Sequence, residues 1–354
     1  MFATVPLPQP KVCGFDSQTE VLTLFGWKRI EFLRREEVAV FSPEEKTIYF
    51  QEPLFLSRNF FRGKLSFLKG RQFNCLHSFH NPQLVSICRT SYRHKSKKRK
   101  DTWQPHQFLP MSDLLGSNRK YLKAANLAEC DRVEWTNPWG ILPQEFARLV
   151  GFFAGDGVRP EYSSDDSLLR YKLSGQIRFK LKRDRKIDFL YSIKGIEVQK
   201  RASDRYVINL PGIGRWFSRH CYNEQGEKKL PRGYLTLTKQ EVEGLLDGLK
   251  NSDGHVMGKN WRYSSSSTYL LDQIQALCAV NNLVGSWTTA FGGSETRKPV
   301  YNVHVSGDRL TPAVNRKQCE NSCVDRAIDY EGYLYHPKVD GALILRRERK
   351  VIFG

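Results

Sequence analysis

Two aspartates 97 residues apart stand in matching surroundings. Asp156 closes residues 149–157 (LVGFFAGDG), and Asp253 closes residues 246–254 (LDGLKNSDG). Each segment is an apolar run with small residues at helical spacing, Gly151 and Gly155 in the first and Gly248 and Ser252 in the second. Residues at i and i+4 share one helix face, and two small-residue faces pack with their backbones unusually close. The glycine after each aspartate is expected to break its helix. Two carboxylates side by side at the foot of a helix pair repel unless a cation lies between them. That arrangement suits divalent-metal chemistry on a phosphodiester. One Asp-Gly pair alone reads as a helix-end turn. The repetition favours the metal reading.

The elements that must position these residues are legible in outline. With 354 residues and a formal charge of +19, the chain is long enough for two or three domains and suits a polyanionic partner, nucleic acid above all. It has no apolar run of the roughly 20 residues a membrane-spanning helix needs and no signal-peptide pattern, so a cytoplasmic location and no membrane partner are expected. The cysteines are scattered without a CxxC pair, so they are expected to be reduced and mostly structural.

From residue 13 to about 90, β-branched and aromatic runs at 21–23, 27–30, 38–41, 47–50 and 84–87 alternate with Gly, Ser, Asn and Pro, as short strands do. A basic run, residues 93–100 (RHKSKKRK), reads as a loop that is either solvated or in contact with phosphates. Pro143 marks the start of a helix leading into the first aspartate. Between the aspartates, residues 176–182 and 205–210 alternate apolar with basic or polar side chains, as in strands with one buried face. A helix across 188–193 covers them. After Asp253 a strand near 261, a helix across 269–282 and a strand at 300–305 repeat the order. Residues 145–310 therefore look duplicated, and the last residues return to strands.

The two aspartate segments resemble the motifs of LAGLIDADG homing endonucleases in their single-chain, two-motif form, and residues 228–231 (KKLP) resemble the Lys–apolar–Pro segment common there. The chain ends resemble an intein, the Hint fold. Residues 13–33 (CGFDSQTEVLTLFGWKRIEFL) are similar to its opening, residues 75–85 (CLHSFHNPQLV) to its Thr-x-x-His block, and residues 330–339 and 343–354 to its closing strands. The resemblance implies an α+β chain. An all-β Hint-like splicing domain would be built from both chain ends, with an inserted pseudo-two-fold αββαββα endonuclease domain. The expected divisions are 1–12 as flanking segment, 13–135 and 316–354 as the two Hint parts, and 136–315 as the endonuclease.

What it implies for chemistry is a site-specific, Mg²⁺-dependent double-strand cut in DNA, with two or more divalent ions. Asp156 and Asp253 are the expected metal ligands, with Gly155 and Ser252 just ahead of them. Lys229 (or its neighbour Lys228) and Lys298 are the candidate catalytic lysines. Lys97, Lys98, Arg99, Lys100, Arg178, Lys180, Lys182, Arg201 and Arg262 are candidates for binding a long double-stranded site by a pseudo-symmetric monomer. In the Hint parts Cys13 is the candidate nucleophile on the Val12 carbonyl, His80 its acid–base partner, and His336 a further catalytic candidate. Gly354 stands where inteins usually carry Asn, so the chain as written is expected not to complete splicing. Two other readings compete: a self-processing protein with a silent endonuclease, and a maturase-like DNA- or RNA-binding module. Any DNA reading predicts salt sensitivity. With ~6–10 phosphates contacted, affinity for duplex DNA measured by fluorescence anisotropy should fall roughly 10³–10⁵-fold between 50 and 200 mM salt.

Overall fold

The computed structural model describes residues 12–93, 98–115, 117–158, 175–308, 310–314 and 323–354. The chain forms a mixed α+β structure that divides into two compact units. One comprises Met1–Lys123 and Leu310–Gly354, the other Ala124–Arg309. The divisions expected near 135 and 315 shift because the segment after Lys123 is tied into the second unit. There Ala125 N and Leu127 N donate to Ala279 O and Val280 O at 3.0 and 2.8 Å.

The first unit is built of strands and short 3-10 turns among its described residues. Glu20–Thr23, Val38–Ser42 and Thr47–Gln51 form an antiparallel sheet with Ala342–Arg347 and Lys350–Phe353. The closing strands insert among the opening ones: Val21 pairs with Leu345 and Phe41 with Ala342. Phe55–Gly70 pairs along its whole length with Cys323–Lys338, a longer strand than the closing segment at 330–339 suggests. Val21, Val40, Leu68, Val85, Leu343, Leu345 and Ile352 share one core, so both chain ends bury apolar surface together. The basic run is not simply a loop. Lys98–Trp103 is a strand paired with the end of Pro82–Arg93, Ser91 facing Lys100 in the register. Lys97 lies outside the described residues.

In the second unit α1 (Pro143–Asp156) starts on Pro143, whose missing N–H costs nothing in a first turn. It leads into the sheet of β1 (Gly157–Val158), β2 (Gln176–Lys180), β3 (Val198–Ala202) and β4 (Arg205–Asn209). The helices α2 (Asp184–Ser192) and α3 (Ile213–His220) complete this half. The second half runs α4 (Lys239–Asn251), β5 (Gly254–Met257), β6 (Asn260–Ser265), α5 (Thr268–Ala279), β7 (Val284–Phe291) and β8 (Val300–Ser306). The two antiparallel sheets have the same strand order, β1-β2-β4-β3 and β5-β6-β8-β7. Thr238 and Glu241 cap α4 reciprocally. The unforeseen α3 contributes Trp216 and Phe217, whose rings lie 5.0 and 4.5 Å from those of Phe146 and Phe153 on α1.

The helices α1 and α4 pack face to face through their glycines. A Cβ on Gly151 would overlap Leu245 O, one on Gly248 would overlap Arg148 O, and one on Gly244 would overlap Gln144 O. At the foot of the pair a Cβ on Gly155 would overlap the Ser252 side chain. Gly157 does not end α1 by a left-handed turn: its φ is −63° and its ψ 138°. It is needed for space, because a Cβ there would run into the Phe153 ring, as one on Gly254 would into Lys250 O. Gly248→Ala is expected to cost about 3 kcal/mol or more in urea denaturation, since backbone rather than a flexible side chain must yield. Gly292→Ala, with nothing within 4 Å of its Cβ, should cost less than ~0.5 kcal/mol.

Candidate active site

Close packing of α1 against α4 delivers Asp156 and Asp253 to one place. The Lys186 ammonium donates to both oxygens of Asp156 at 2.7 Å and to Asp253 Oδ1 at 3.2 Å. Asp156 is largely buried, whereas the Asp253 side chain is 45% exposed. Burial pushes the Asp156 carboxyl above its ordinary range; the Lys186 hydrogen bond opposes that, and the Asp253 charge adds to it.

A second ammonium stands behind the pair. Lys228 Nζ donates to Phe153 O at 3.3 Å and to Gly155 O. Burial pulls its pKa down to about 8, against the opposing pull of Asp253 and Asp156. Tyr263 on β6 closes the inner wall, fully buried and hydrogen-bonded to Ser252.

Local sequence explains how both lysines are held. Lys186 lies in the first turn of α2, where Lys186 N donates to Arg183 O at 2.9 Å. The next-door Arg185 reaches Asn251 O and Gly254 O, both at 3.4 Å, which fastens that turn to the foot of α4. Phe189 on α2 packs on Phe152 of α1, ring centroids 5.1 Å apart. Lys228 is fixed through its neighbours. Ser267 Oγ donates to Lys228 O at 2.9 Å, and Lys229 N donates to Cys221 O at 2.9 Å. The Gln273 side-chain amide, on α5, pairs with both backbone groups of Leu230 at 2.6 and 3.2 Å.

The sequence-predicted residues separate accordingly. Asp156 and Asp253 come together. Of the adjacent lysines it is Lys228, not Lys229, whose ammonium lies at the foot of α1, on the carbonyls of Phe153 and Gly155 rather than on the carboxylates. Lys298 is exposed in the turn between β7 and β8 and forms no hydrogen bond or ion pair with either aspartate among the described residues. The Gly155 carbonyl accepts from Lys228, and the Ser252 hydroxyl donates to Leu249 O at 2.9 Å. Lys186 was missed. In sequence it is one basic residue in residues 178–186 (RFKLKRDRK), and only the fold of α2 distinguishes it.

Arg178 and Lys180 project from β2 on the face opposite buried Ile177 and Phe179. Lys182 and Arg201 are also exposed, Arg201 donating to Gln199 Oε1 at 2.7 Å. Arg262 on β6 is half-buried beside His304 in the register. The first sheet thus carries a strongly basic face. On the second, Ser264 bonds Asn302 at 2.6 Å and Thr288 bonds His304 at 2.9 Å, a mostly neutral polar face. Of Lys98, Arg99 and Lys100 only the strand backbone is described.

In the first unit Phe15 bridges Tyr335 on one side and His77 on the other. Cys13 precedes it, its thiol pKa raised by burial. His77 is fully buried, its Nδ1 donating to Ser78 O at 3.1 Å and its Nε2 without a partner among the described residues. His80, the residue favoured from the sequence block, is exposed instead, because the strand Asn74–His77 ends before it and the chain turns outward. His336, Asn81, Phe15 and Gly354 line one cavity of about 70 Å³.

No family model matches this chain. It is 27% identical over 182 residues to the ATP-dependent DNA helicase Hel308 of Thermococcus kodakarensis, which covers 46% of this chain and 15% of the helicase. The chain thus spans a small part of that curated relative's length. Among solved structures it is similar to mesophilic variants of the homing endonuclease I-DmoI, at 14% identity and a TM-score of 0.32 over 47% of this chain and 85% of that one. It is similar also to I-DmoI in complex with DNA and Mn, at 15% identity and a TM-score of 0.32 over 51% of this chain and 95% of that one. Likenesses this faint assign no activity to the chain.

The buried histidine of the first unit has a measurable consequence. Burial lowers the His77 pKa from 6.5 to about 4, so the unfolded chain takes up a proton well before the folded one. Stability should be lost as the pH falls from about 6.5 to about 4, by up to about 3 kcal/mol from this group. Chemical denaturation at pH 7 and 4.5 should show a smaller loss for His77→Asn than for the unaltered protein.

Proposed function

We propose that the second unit is a site-specific endonuclease for double-stranded DNA that works as a pseudo-symmetric monomer with Mg²⁺. The observation that carries the reading is the convergence of Asp156 and Asp253 on a single ammonium at the foot of two glycine-packed helices. Carboxylates so placed need a cation, a place the Lys186 ammonium fills in the metal-free protein; for a metal ion taking that place the donors on offer are hard oxygens, which suit Mg²⁺ rather than a softer ion. Two protein carboxylates are few for an all-protein cage, but Mg²⁺ commonly keeps its waters and takes substrate phosphate oxygens. When bound, such an ion makes a water easier to deprotonate and neutralises charge on the phosphoryl oxygens.

The chain's own residues supply the rest. Asp156 and Asp253 would hold the ion, one for each scissile strand. Lys228, with its pKa near 8, keeps positive charge beside the reacting phosphate and can exchange a proton with water near neutral pH at small cost. Arg178, Lys180, Lys182 and Arg201 would follow the DNA backbone, while side chains of both sheets meet base edges in the major groove.

Selection from a plasmid library for sites cut in Mg²⁺ tests this. One long site cut on both strands is the expected result. Asp156→Asn and Asp253→Asn should each lower cutting of at least one strand by ~10²-fold or more while leaving DNA binding. Lys228→Met should lower kcat more than it weakens binding. Full double-strand cutting by both aspartate variants would remove the assignment.

A second activity, self-processing by the first unit, is favoured by one observation: Phe15, two residues after Cys13, and Gly354 line the same small cavity, with His336. In this reading Cys13 Sγ attacks the Val12 carbonyl carbon, the peptide bond to Cys13 N breaks, and that nitrogen takes up the proton. His77 is better placed than His80 to assist. Added thiol should release a fragment ending at Val12, seen by mass spectrometry, and Cys13→Ala should abolish it. An intact chain after prolonged thiol treatment would contradict self-processing.

A further inference from the structure

Lys186 holds a place that the nuclease reading leaves without a role. Its ammonium makes three hydrogen bonds, two to Asp156 at 2.7 Å and one to Asp253 at 3.2 Å, and the residue is 9% exposed. The ammonium therefore sits between the two carboxylates, where an ion shared by both would have to lie.

We propose that Lys186 is the built-in counter-ion of this centre. It holds Asp156 and Asp253 together in the metal-free protein, and it must let go of at least one of them before a divalent ion can bridge both. Lys186 is thereby a positioning residue that sets how much divalent ion the protein needs. The inference rests on the nuclease reading and adds to it the control of metal loading.

Charge supports this. With Lys186 and Lys228 both cationic, the two carboxylates are already balanced before any ion arrives. A divalent ion entering alongside both ammoniums would meet like charge at close range. It would also find both Asp156 oxygens engaged. Lys228 cannot play the same part, because its ammonium is committed to the main-chain oxygens of Phe153 and Gly155. Lys186 can move. Its bonds go to side chains, its stem has four flexible carbons, and it starts from the first turn of α2 beside exposed Asp184 and Arg185.

Without the lysine, the carboxylates would be left facing each other with Lys228 behind them. Their mutual repulsion would then favour any ion that fits between them. Removing Lys186 should therefore tighten metal binding, opposite to the loss expected on removing a ligand.

Isothermal titration of Ca²⁺ into the full chain without DNA tests this, using Lys186→Met, Lys186→Arg and Asp253→Asn beside the unaltered protein. Lys186→Met should bind Ca²⁺ on the order of tenfold tighter or better. It should also melt at a lower temperature in EDTA and recover with Ca²⁺. Lys186→Arg, which keeps the charge, should stay weak, and Asp253→Asn should weaken binding. Equal or weaker binding by Lys186→Met overturns the inference. If Lys186→Met does not fold in EDTA, refolding of it or of Lys186→Gln on adding Ca²⁺ supports the counter-ion role, and no rescue of either counts against it. The two readings fail differently. Should the unaltered protein cut DNA with Mg²⁺ while Lys186→Met binds Ca²⁺ no tighter, the counter-ion role alone falls. Should no variant bind Ca²⁺ at about 10 mM, the metal-centred nuclease falls with it.

Discussion

The second unit is organised around two like charges brought together. The helices α1 and α4 approach so closely that Gly151, Gly244 and Gly248 leave no room for a side chain. That approach carries Asp156 and Asp253 to a common point, at a cost in desolvation and repulsion. The protein offsets the cost with two ammoniums of different kinds. Lys186 is bound to the carboxylates themselves, and Lys228 to the carbonyls of the helix end. The surrounding elements follow from keeping these four groups in register: α2 carries one lysine, α5 clamps the segment that carries the other, and Tyr263 seals the inner wall.

The first unit solves a different problem, joining two chain ends around one core. Val21 and Leu345 pair, Arg346 donates to both Glu20 oxygens at 2.7 and 2.9 Å, and Arg347 reaches buried Asp16. Buried ion pairs stabilise less than their Coulomb energy suggests, but they penalise any register that leaves a charge unpaired. The result brings Phe15, His336 and Gly354 to one cavity.

Much of this was legible in the chain. The duplicated small-residue pattern foretold the helix pair and the meeting of Asp156 and Asp253, because helical periodicity alone determines which residues share a face. The strands near 21, 38, 47 and 177 were visible through alternation or β-branched runs. What could not be read depends on distant partners. Lys186 looks like any basic residue until α2 folds onto the foot of α4. Lys228 and Lys229 are neighbours whose roles part only because Ser267 and Gln273 hold their backbone in one orientation. His77 and His80 flank the end of a strand, and where that strand stops decides which is buried. The glycines after the aspartates do stand past the helix ends, as expected, and what requires them there is space beside Phe153 and Lys250.

The most direct measurement of the central claim is anomalous diffraction from Mn²⁺ in crystals of the chain with its DNA target. The account predicts manganese peaks at about 2 Å from carboxylate oxygens of both Asp156 and Asp253, with the Lys186 ammonium moved off at least one of them. Manganese absent from both carboxylates, with Lys186 still bridging them beneath the DNA, would contradict it.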